Sequence, residues 1–416
     1  MKRRLLPMMM TLVLVCALPI WAAFVTSGDV TNPLLTTADA AELTLQGMID
    51  QANAGDTIKL SSNTEIAATL QITKNLTLDL NGCTLRMTGT GSVLKVSGRA
   101  TLTITDSSAA KSGTITGGNA GDGGGVYVEA YATLEMTGGC ITGCRAEDGG
   151  GVYIDNNATL KMTGGCITDC HASYGGGGIY SYENLYMGGT AKIEKCTSKW
   201  GSDDAIWNRE RCNIYADGGT VDGTVNNQGT IRRSEGAAAE TVFNGTVYNR
   251  SAGTIIAGIY NETVENNGTI TGGTFWGTVT NKKSAWGNEA GTISGGTFAV
   301  RFDTGDGTKP EPTPVEHNRT VLRPTSDPEK SGHTFVGWYL GDALYDFNTP
   351  VIAPLTLTAR WEEVPSSGGN YYYHPTTDTK ADDTKGSPKT ADPGVALYAA
   401  LSLLSLTGLT CTAKKR

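Results

Sequence analysis

The sequence predicts an all-β chain whose larger part is a parallel β-helix, a solenoid with three short strands to each turn. Three observations carry this. The segment Gly123-Gly124-Gly125-Val126-Tyr127-Val128, with Ala132-Thr133-Leu134-Glu135-Met136-Thr137-Gly138-Gly139-Cys140-Ile141-Thr142-Gly143-Cys144 behind it, returns 26 residues later as Gly149 to Ile154 and Ala158 to Cys170. A looser third copy runs through Gly176-Gly177-Gly178-Ile179-Tyr180, Leu185-Tyr186-Met187 and Cys196. Within each unit apolar and polar residues alternate with the period of a strand, and the 55 glycines fall in register with the apolar residues instead of spreading as in a linker. A unit of this size cannot bury its own apolar face, so the units must stack.

At the start of the chain, Lys2, Arg3 and Arg4 precede an apolar run from Leu5 to Trp21 and the small pair Ala22-Ala23. This is the three-part build of a secretory signal peptide, residues 1–23, with cleavage expected near Ala23. An uncleaved membrane anchor is the rival reading. Ala41 to Ala54 reads as an amphipathic helix, with Leu43, Gln46, Met48, Ile49 and Ala52 spaced to cover one end of the solenoid core, because terminal repeats need a cap. Gly55 to Leu60, Leu70 to Ile72 and Leu76 to Gly82 supply the first strands.

In the clear repeats, parity places Val126, Val152, Ile179 and Ile206 in one inward row, Leu134, Leu160 and Leu185 in a second, and Met136, Met162 and Met187 in a third. Stacked strands lie about 4.8 Å apart, so like sits on like. Tyr127, Tyr153, Tyr180 and Trp207 then form an outward row. Such a row suits stacking on sugar rings along an extended glycan, with a loss of about 1 to 2 kcal/mol expected when Trp207 becomes alanine. The bland reading is that these rings merely cover neighbouring coils. The seven cysteines between the two ends are an odd number, which argues against a complete disulfide framework. The period stacks Cys140 on Cys166, and Cys144 on Cys170 and Cys196, as buried rows of small apolar side chains. Disulfides between coils and a four-thiolate zinc site are the alternatives. Beyond Cys212 the units shorten to strings such as Gly268-Thr269-Ile270-Thr271-Gly272-Gly273-Thr274-Phe275, repeated from Gly291 to Phe298. The solenoid with its cap is thus expected over residues 41–299.

Three strands per turn in these residues resembles the right-handed pectate-lyase-like β-helix of bacterial surface proteins, a likeness of fold that does not carry function. The sharpest enzymatic candidate is Asp203-Asp204, since β-helical polygalacturonases use an Asp-Asp pair to protonate the leaving group and activate water. Here the pair aligns with the turn glycines Gly176-Gly177, the one histidine of the solenoid, His171, lies upstream, and no Arg-x-Lys strand follows. A lyase would need a calcium-binding carboxylate cluster with an arginine base, whereas Asp148, Asp155, Asp169 and Arg145 read as scattered over the coils. No catalytic residue, metal site or cofactor is therefore expected.

From Val300 to Trp361 the pattern changes to Gly332-His333-Thr334-Phe335-Val336-Gly337-Trp338-Tyr339, Tyr345-Asp346-Phe347 and Leu355-Thr356-Leu357-Thr358-Ala359-Arg360-Trp361. This resembles the Listeria–Bacteroides repeat, seen also as the B repeats of internalins, and the resemblance implies a small β-grasp-like module over 300–363 that serves as spacer or adhesive unit. Trp338, Phe335, Phe347 and Trp361 read as its core. Residues 364–386, rich in Ser, Thr, Gly, Lys and Asp, read as a disordered linker crossing the cell wall.

Residues 387–416 then run Ser387-Pro388-Lys389-Thr390-Ala391, an uncharged stretch from Val395 to Cys411, and Lys414-Lys415-Arg416. This resembles the LPxTG-type sorting signal of Gram-positive surface proteins, with Ser387 where that motif has leucine and Ala391 where it has glycine. The resemblance implies that a sortase joins Thr390 covalently to peptidoglycan, the apolar stretch and basic tail holding the chain in the membrane until then. An ordinary C-terminal transmembrane helix is the rival. Without residues 1–23 and 391–416 the chain carries 27 basic against 40 acidic side chains, net −13, which argues against nucleic acid as a partner. The expectation is a non-catalytic Gram-positive surface-display or adhesion protein meeting host or microbial glycans or proteins. A polysaccharide hydrolase or lyase and a structural spacer are the alternatives.

Overall fold

A computed structural model describes residues 24–26 (backbone only), 44–199, 204–283, 290–308 and 311–364. The signal segment 1–23, residues 365–386 of the linker and the sorting signal 387–416 lie outside the described residues, as does Asp203.

Helix Leu45–Gln51 is short, capped by Thr44, whose hydroxyl accepts the Gly47 N–H at 3.1 Å. It buries Leu45, Met48 and Ile49 against the end of the solenoid. Gln46, expected on the core-covering face, does something more specific. Its side-chain amide accepts the Gln71 N–H (2.8 Å) and donates to the Gln71 carbonyl (3.2 Å), satisfying the open edge of the first strand. Backbone pairing of Phe24–Thr26 antiparallel to Thr57–Lys59 closes a second edge.

The solenoid has three faces. The first is a ten-stranded parallel sheet that begins with Leu70–Ile72, passes through Val126–Val128 and Val152–Ile154, and ends with Val279–Asn281. The second and third carry strands such as Thr133–Met136 and Cys140–Thr142, which fuse into one bulged strand at Asn184–Glu194 and again at Asn213–Asp222. The rows expected from parity are present: Val126 pairs with Val152, Val152 with Ile179 and Ile179 with Ile206, all fully buried. Leu134, Leu160 and Leu185, and Met136, Met162 and Met187, stack the same way. A short extra sheet, Arg145–Asp148, His171–Gly175 and Thr197–Ser198, turns the corner back to the first face in three coils only.

After Asn208 this corner is lost and the coils are shorter than the 26-residue repeats, the spacing between stacked asparagines running 19, 22, 17 and 15 residues. The narrower core is filled by a buried ring stack, Phe243, Tyr260, Phe275 and Phe298, with neighbouring centroids 5.0, 4.9 and 5.5 Å apart. Beside it runs a ladder of buried amides in which each Nδ2 donates to the next Oδ1: Asn208 to Asn227 (2.8 Å), Asn227 to Asn249 (2.8 Å), Asn249 to Asn266 (2.7 Å) and Asn266 to Asn281 (2.8 Å). The ladder starts at Asn208 because the rung before it is Ser181, whose hydroxyl donates to the Glu183 carbonyl, leaving the Asn208 Oδ1 without a donor.

The cysteines divide. Cys144, Cys170 and Cys196 form the expected buried row, each thiol donating to the carbonyl two residues before it. Cys140 and Cys166 correct the expectation of a second buried row. In their strands Ile141 and Ile167 take the inward positions, so both cysteines face outward and are joined in a disulfide between adjacent coils. Among the described residues five cysteines stay free. Reduction of this bridge opens a 26-residue span, which is expected to lower stability by up to about 3 kcal/mol. Thermal melts with and without reductant, beside a Cys140→Ser/Cys166→Ser variant insensitive to it, measure the effect.

The module is not joined by a linker. Strand Thr297–Asp303 belongs to both parts and crosses the expected boundary at 299/300. Its first half is a solenoid rung, with Thr297 on Thr274 and Phe298 on Phe275, while its second half pairs parallel with Leu355–Glu363 from Val300 on Leu355 to Asp303 on Thr358. Thr313–Glu316, His333–Leu340 and the short Ala343–Leu344 complete the sheet. Trp338 is buried, with its ring edge-on to Phe302 (4.9 Å) and Phe335 (5.5 Å), and Phe335 meets Trp361 at 5.5 Å. These are core contacts continuous with the solenoid core.

Candidate functional site

The outward residues of the first face form one row down the sheet: Gln71, Lys95, Tyr127, Tyr153, Tyr180, Trp207, Asn226, Tyr248, Glu265 and Thr280. The expected aromatic row is its centre. The rings do not stand apart as separate platforms. They lie face to face, with centroids 5.4, 5.8 and 6.2 Å apart from Tyr127 to Trp207 and planes within 24°. A chain lying along the axis would meet ring edges, and Tyr180 is buried, which corrects the expectation of four exposed platforms at strand spacing.

A second row, in the turns that follow these strands, clasps the first diagonally. Lys95 pairs with Glu129 (3.1 Å), the Tyr127 hydroxyl donates to Asp155 (3.0 Å), Tyr153 packs on Tyr182 (5.8 Å) and Arg209 donates to the Tyr180 hydroxyl (2.9 Å). Arg250 donates to Asn226 (2.6 Å) and Lys282 pairs with Glu265 (2.6 Å) farther along. Burial, the bond to Asp155 and nearby carboxylates raise the Tyr127 pKa; burial and the fields of Asp122 and Asp155 raise that of Tyr153. Tyr180 is pushed up to about 12 by burial, with Arg209 opposing.

Where the corner meets the first face, Asp122 and Asp148 sit one above the other in bridge-paired positions of adjacent coils. Burial raises the pKa of both, reinforced at Asp122 by Asp148, Glu147 and Asp155, and moderated at Asp148 by the Gly175 N–H and Arg209. Asp148 and Asp155 are therefore not scattered, as the sequence reading had them. Asp169 lies in a left-handed turn, and Arg145 is exposed at the start of the strand that ends in Asp148. At the third coil Gly175 replaces the carboxylate, and a Cβ there would meet Trp207 at 2.8 Å and Tyr180 at 3.4 Å. Next to Asp122 and Tyr127 lies an open groove of ≈540 Å³. Sequence reasoning missed Asp122, Lys95, Tyr182 and Arg209, although Glu129, Asp155, Tyr182 and Arg209 repeat at the coil spacing.

The other candidates resolve locally. Asp204 is buried, its oxygens accepting from the Gly176 N–H (2.9 Å) and Asn226 (3.3 Å), and burial raises its pKa. It stacks among the turn glycines, as its alignment with them implied. His171 shares a hydrogen bond with Thr197 (2.8 Å). Among the described residues no three His, Cys, Asp or Glu side chains group to hold a metal ion. Ser387, Pro388, Lys389, Thr390 and Ala391 lie outside the described residues.

Residues 298–360 match the Listeria–Bacteroides repeat domain family. Over 81 residues the chain is 36% identical to a protein of Evansella cellulosilytica described as a membrane protein, an overlap of 18% of this chain and 11% of that one. Over 69 residues it is 33% identical to a second from the same organism, described as a Gly-rich membrane protein, covering 16% and 8%. The chain thus spans about a tenth of the length of these curated relatives. The comparisons find in this chain one module similar to the Listeria–Bacteroides repeat domain, which in the structure is built onto the end of a parallel β-solenoid.

Proposed function

We propose that this chain is a non-catalytic surface-display and adhesion protein of a Gram-positive bacterium, exported, joined to peptidoglycan by a sortase at Thr390, and meeting glycans through the first face of its solenoid. The observation that carries the reading is the continuity of the long solenoid with a module similar to a repeat of bacterial surface proteins. The description of both relatives as membrane proteins supports an envelope location. The polar and aromatic first face supports contact with sugars, since edges of Tyr and Trp offer both apolar area and hydrogen bonds. A spacer is the second reading, favoured by the clasps that occupy the Tyr127 and Tyr180 hydroxyls.

Anchoring is tested on cells. Muramidase should release the protein with peptidoglycan fragments attached, and Thr390→Ala should leave it shed or membrane-held. Release of the wild type by detergent alone would sink the sortase reading. A glycan array with the purified protein separates adhesion, where binding occurs without turnover, from the hydrolase, where products appear, and from the spacer, where nothing binds.

A further inference from the structure

Resting on the reading of the first face as a glycan-facing surface, we propose that the groove at the Tyr127 end of the ring stack is a binding site for a terminal aminohexose, its pyranose ring taking the place of Lys95 on the outer face of Tyr127 and its ammonium group on Asp122.

The stack has one accessible ring face at this end. Tyr153 is sandwiched between Tyr127 and Tyr180, and Tyr180 between Tyr153 and Trp207. Tyr127 is covered by Tyr153 on one side. Its other side carries the Lys95 side chain, whose Nζ is 5.3 Å from the ring centroid and pairs with Glu129 at 3.1 Å, a surface ion pair that a ligand can displace at small cost. The groove opens on that side. It exists because the chain is pared to backbone there: a Cβ on Gly91 would meet the Thr69 Oγ1 at 2.7 Å, while Gly121 faces open space. Thr69, Gln71, Ser92 and Asn119 line it beside Asp122 and Tyr127. An aromatic face ringed by hydroxyls and amides matches a pyranose, whose C–H face stacks while its rim hydroxyls exchange hydrogen bonds.

Charge selects among sugars. Asp122 is exposed to the groove, and Asp148, Glu147 and Asp155 all repel its ionised form. Lys95, the cation nearest the ring, is engaged by Glu129. An acidic sugar would add to that repulsion and a neutral one would leave it, whereas an ammonium group relieves it and gains a charge-assisted hydrogen bond.

Calorimetric titration of the full-length protein with a glucosamine tetramer and an N-acetylglucosamine tetramer tests this. The free amine should bind roughly ten-fold tighter, the factor expected for one added charged hydrogen bond. Asp122→Asn should erase the preference, Tyr127→Ala should abolish binding of both oligomers, and Tyr127→Phe, which keeps the ring, should retain it. Equal affinities in the wild type, or a preference that survives Asp122→Asn, would overturn the aminohexose site while leaving a glycan-facing surface in place. Failure of either oligomer, and of every other array glycan, to bind would overturn both.

Discussion

Leu160→Asp is expected to unfold the central coils under conditions where the wild type is stable. Leu160 is fully buried, stacked between Leu134 and Leu185 on the second face. The aspartate would lose the apolar contacts of leucine and place a carboxylate where no cation or donor faces it. Such changes cost upwards of about 4 kcal/mol, comparable with the whole stability of many domains. Urea titration followed by far-ultraviolet circular dichroism measures it. The control is Lys161→Asp, next along the strand but outward and half-exposed, where the loss is an exposed pair with Glu135 at 3.2 Å, worth under about 1 kcal/mol. A near-wild-type midpoint for Leu160→Asp would mean that the register of the second face is wrong.

Asn249→Ala should cost nearly as much through a different route. The Asn249 side chain accepts from Asn227 (2.8 Å) and donates to Asn266 (2.7 Å), both bonds buried, and to the Thr269 carbonyl (3.2 Å), which is part-buried. Alanine leaves two buried amide groups and one half-buried carbonyl short of a partner, the buried ones at about 1–3 kcal/mol each, partly offset where other acceptors remain. Asn227 keeps two, the Gly229 carbonyl at 3.1 Å and the Thr254 carbonyl at 3.4 Å. A loss of roughly 3 kcal/mol or more is expected, with faster amide exchange confined to the short coils. The same substitution at exposed Asn281, where the ladder ends, should cost a few tenths of that. Equal effects at the two positions would show that the amides do not act as a chain.

The inward rows of the clear repeats were legible because stacking puts chemically similar residues at a fixed spacing, and Val126-Val152-Ile179-Ile206 advertises that spacing directly. Cys140 and Cys166 were misplaced because cysteine was weighed as a small hydrophobe, when the adjacent Ile141 and Ile167 already filled the inward positions of their strands. The asparagine ladder had a sequence signal that went unread. Val225-Asn226-Asn227, Val247-Tyr248-Asn249 and Val264-Glu265-Asn266 put asparagine on the same parity as valine, hence inside. Reading polar residues as outward hides such a ladder, since only a partner of the same kind in the next coil makes a buried amide tolerable. Of the candidate site, the ring row could be read from parity. Asp122, Asp155, Tyr182 and Arg209 sit in turns, where there is no alternation to say which way a side chain points, and their grouping depends on how the corner folds.

The strand Thr297–Asp303 bears on how such chains are put together. A module whose first strand is also its neighbour's last rung is not a bead that can be threaded anywhere. Grafted behind a helix or a flexible tether, it would expose one edge of Thr297–Val300 and half the ring of Phe298, which here rests on Phe275. A parallel solenoid ends, by its construction, in just such a free edge, at any coil where it happens to stop. The pairing of these two architectures is therefore a matter of compatible ends: the solenoid can grow or shrink by whole coils while the junction stays the same, and length becomes a variable that can change without redesigning the cap.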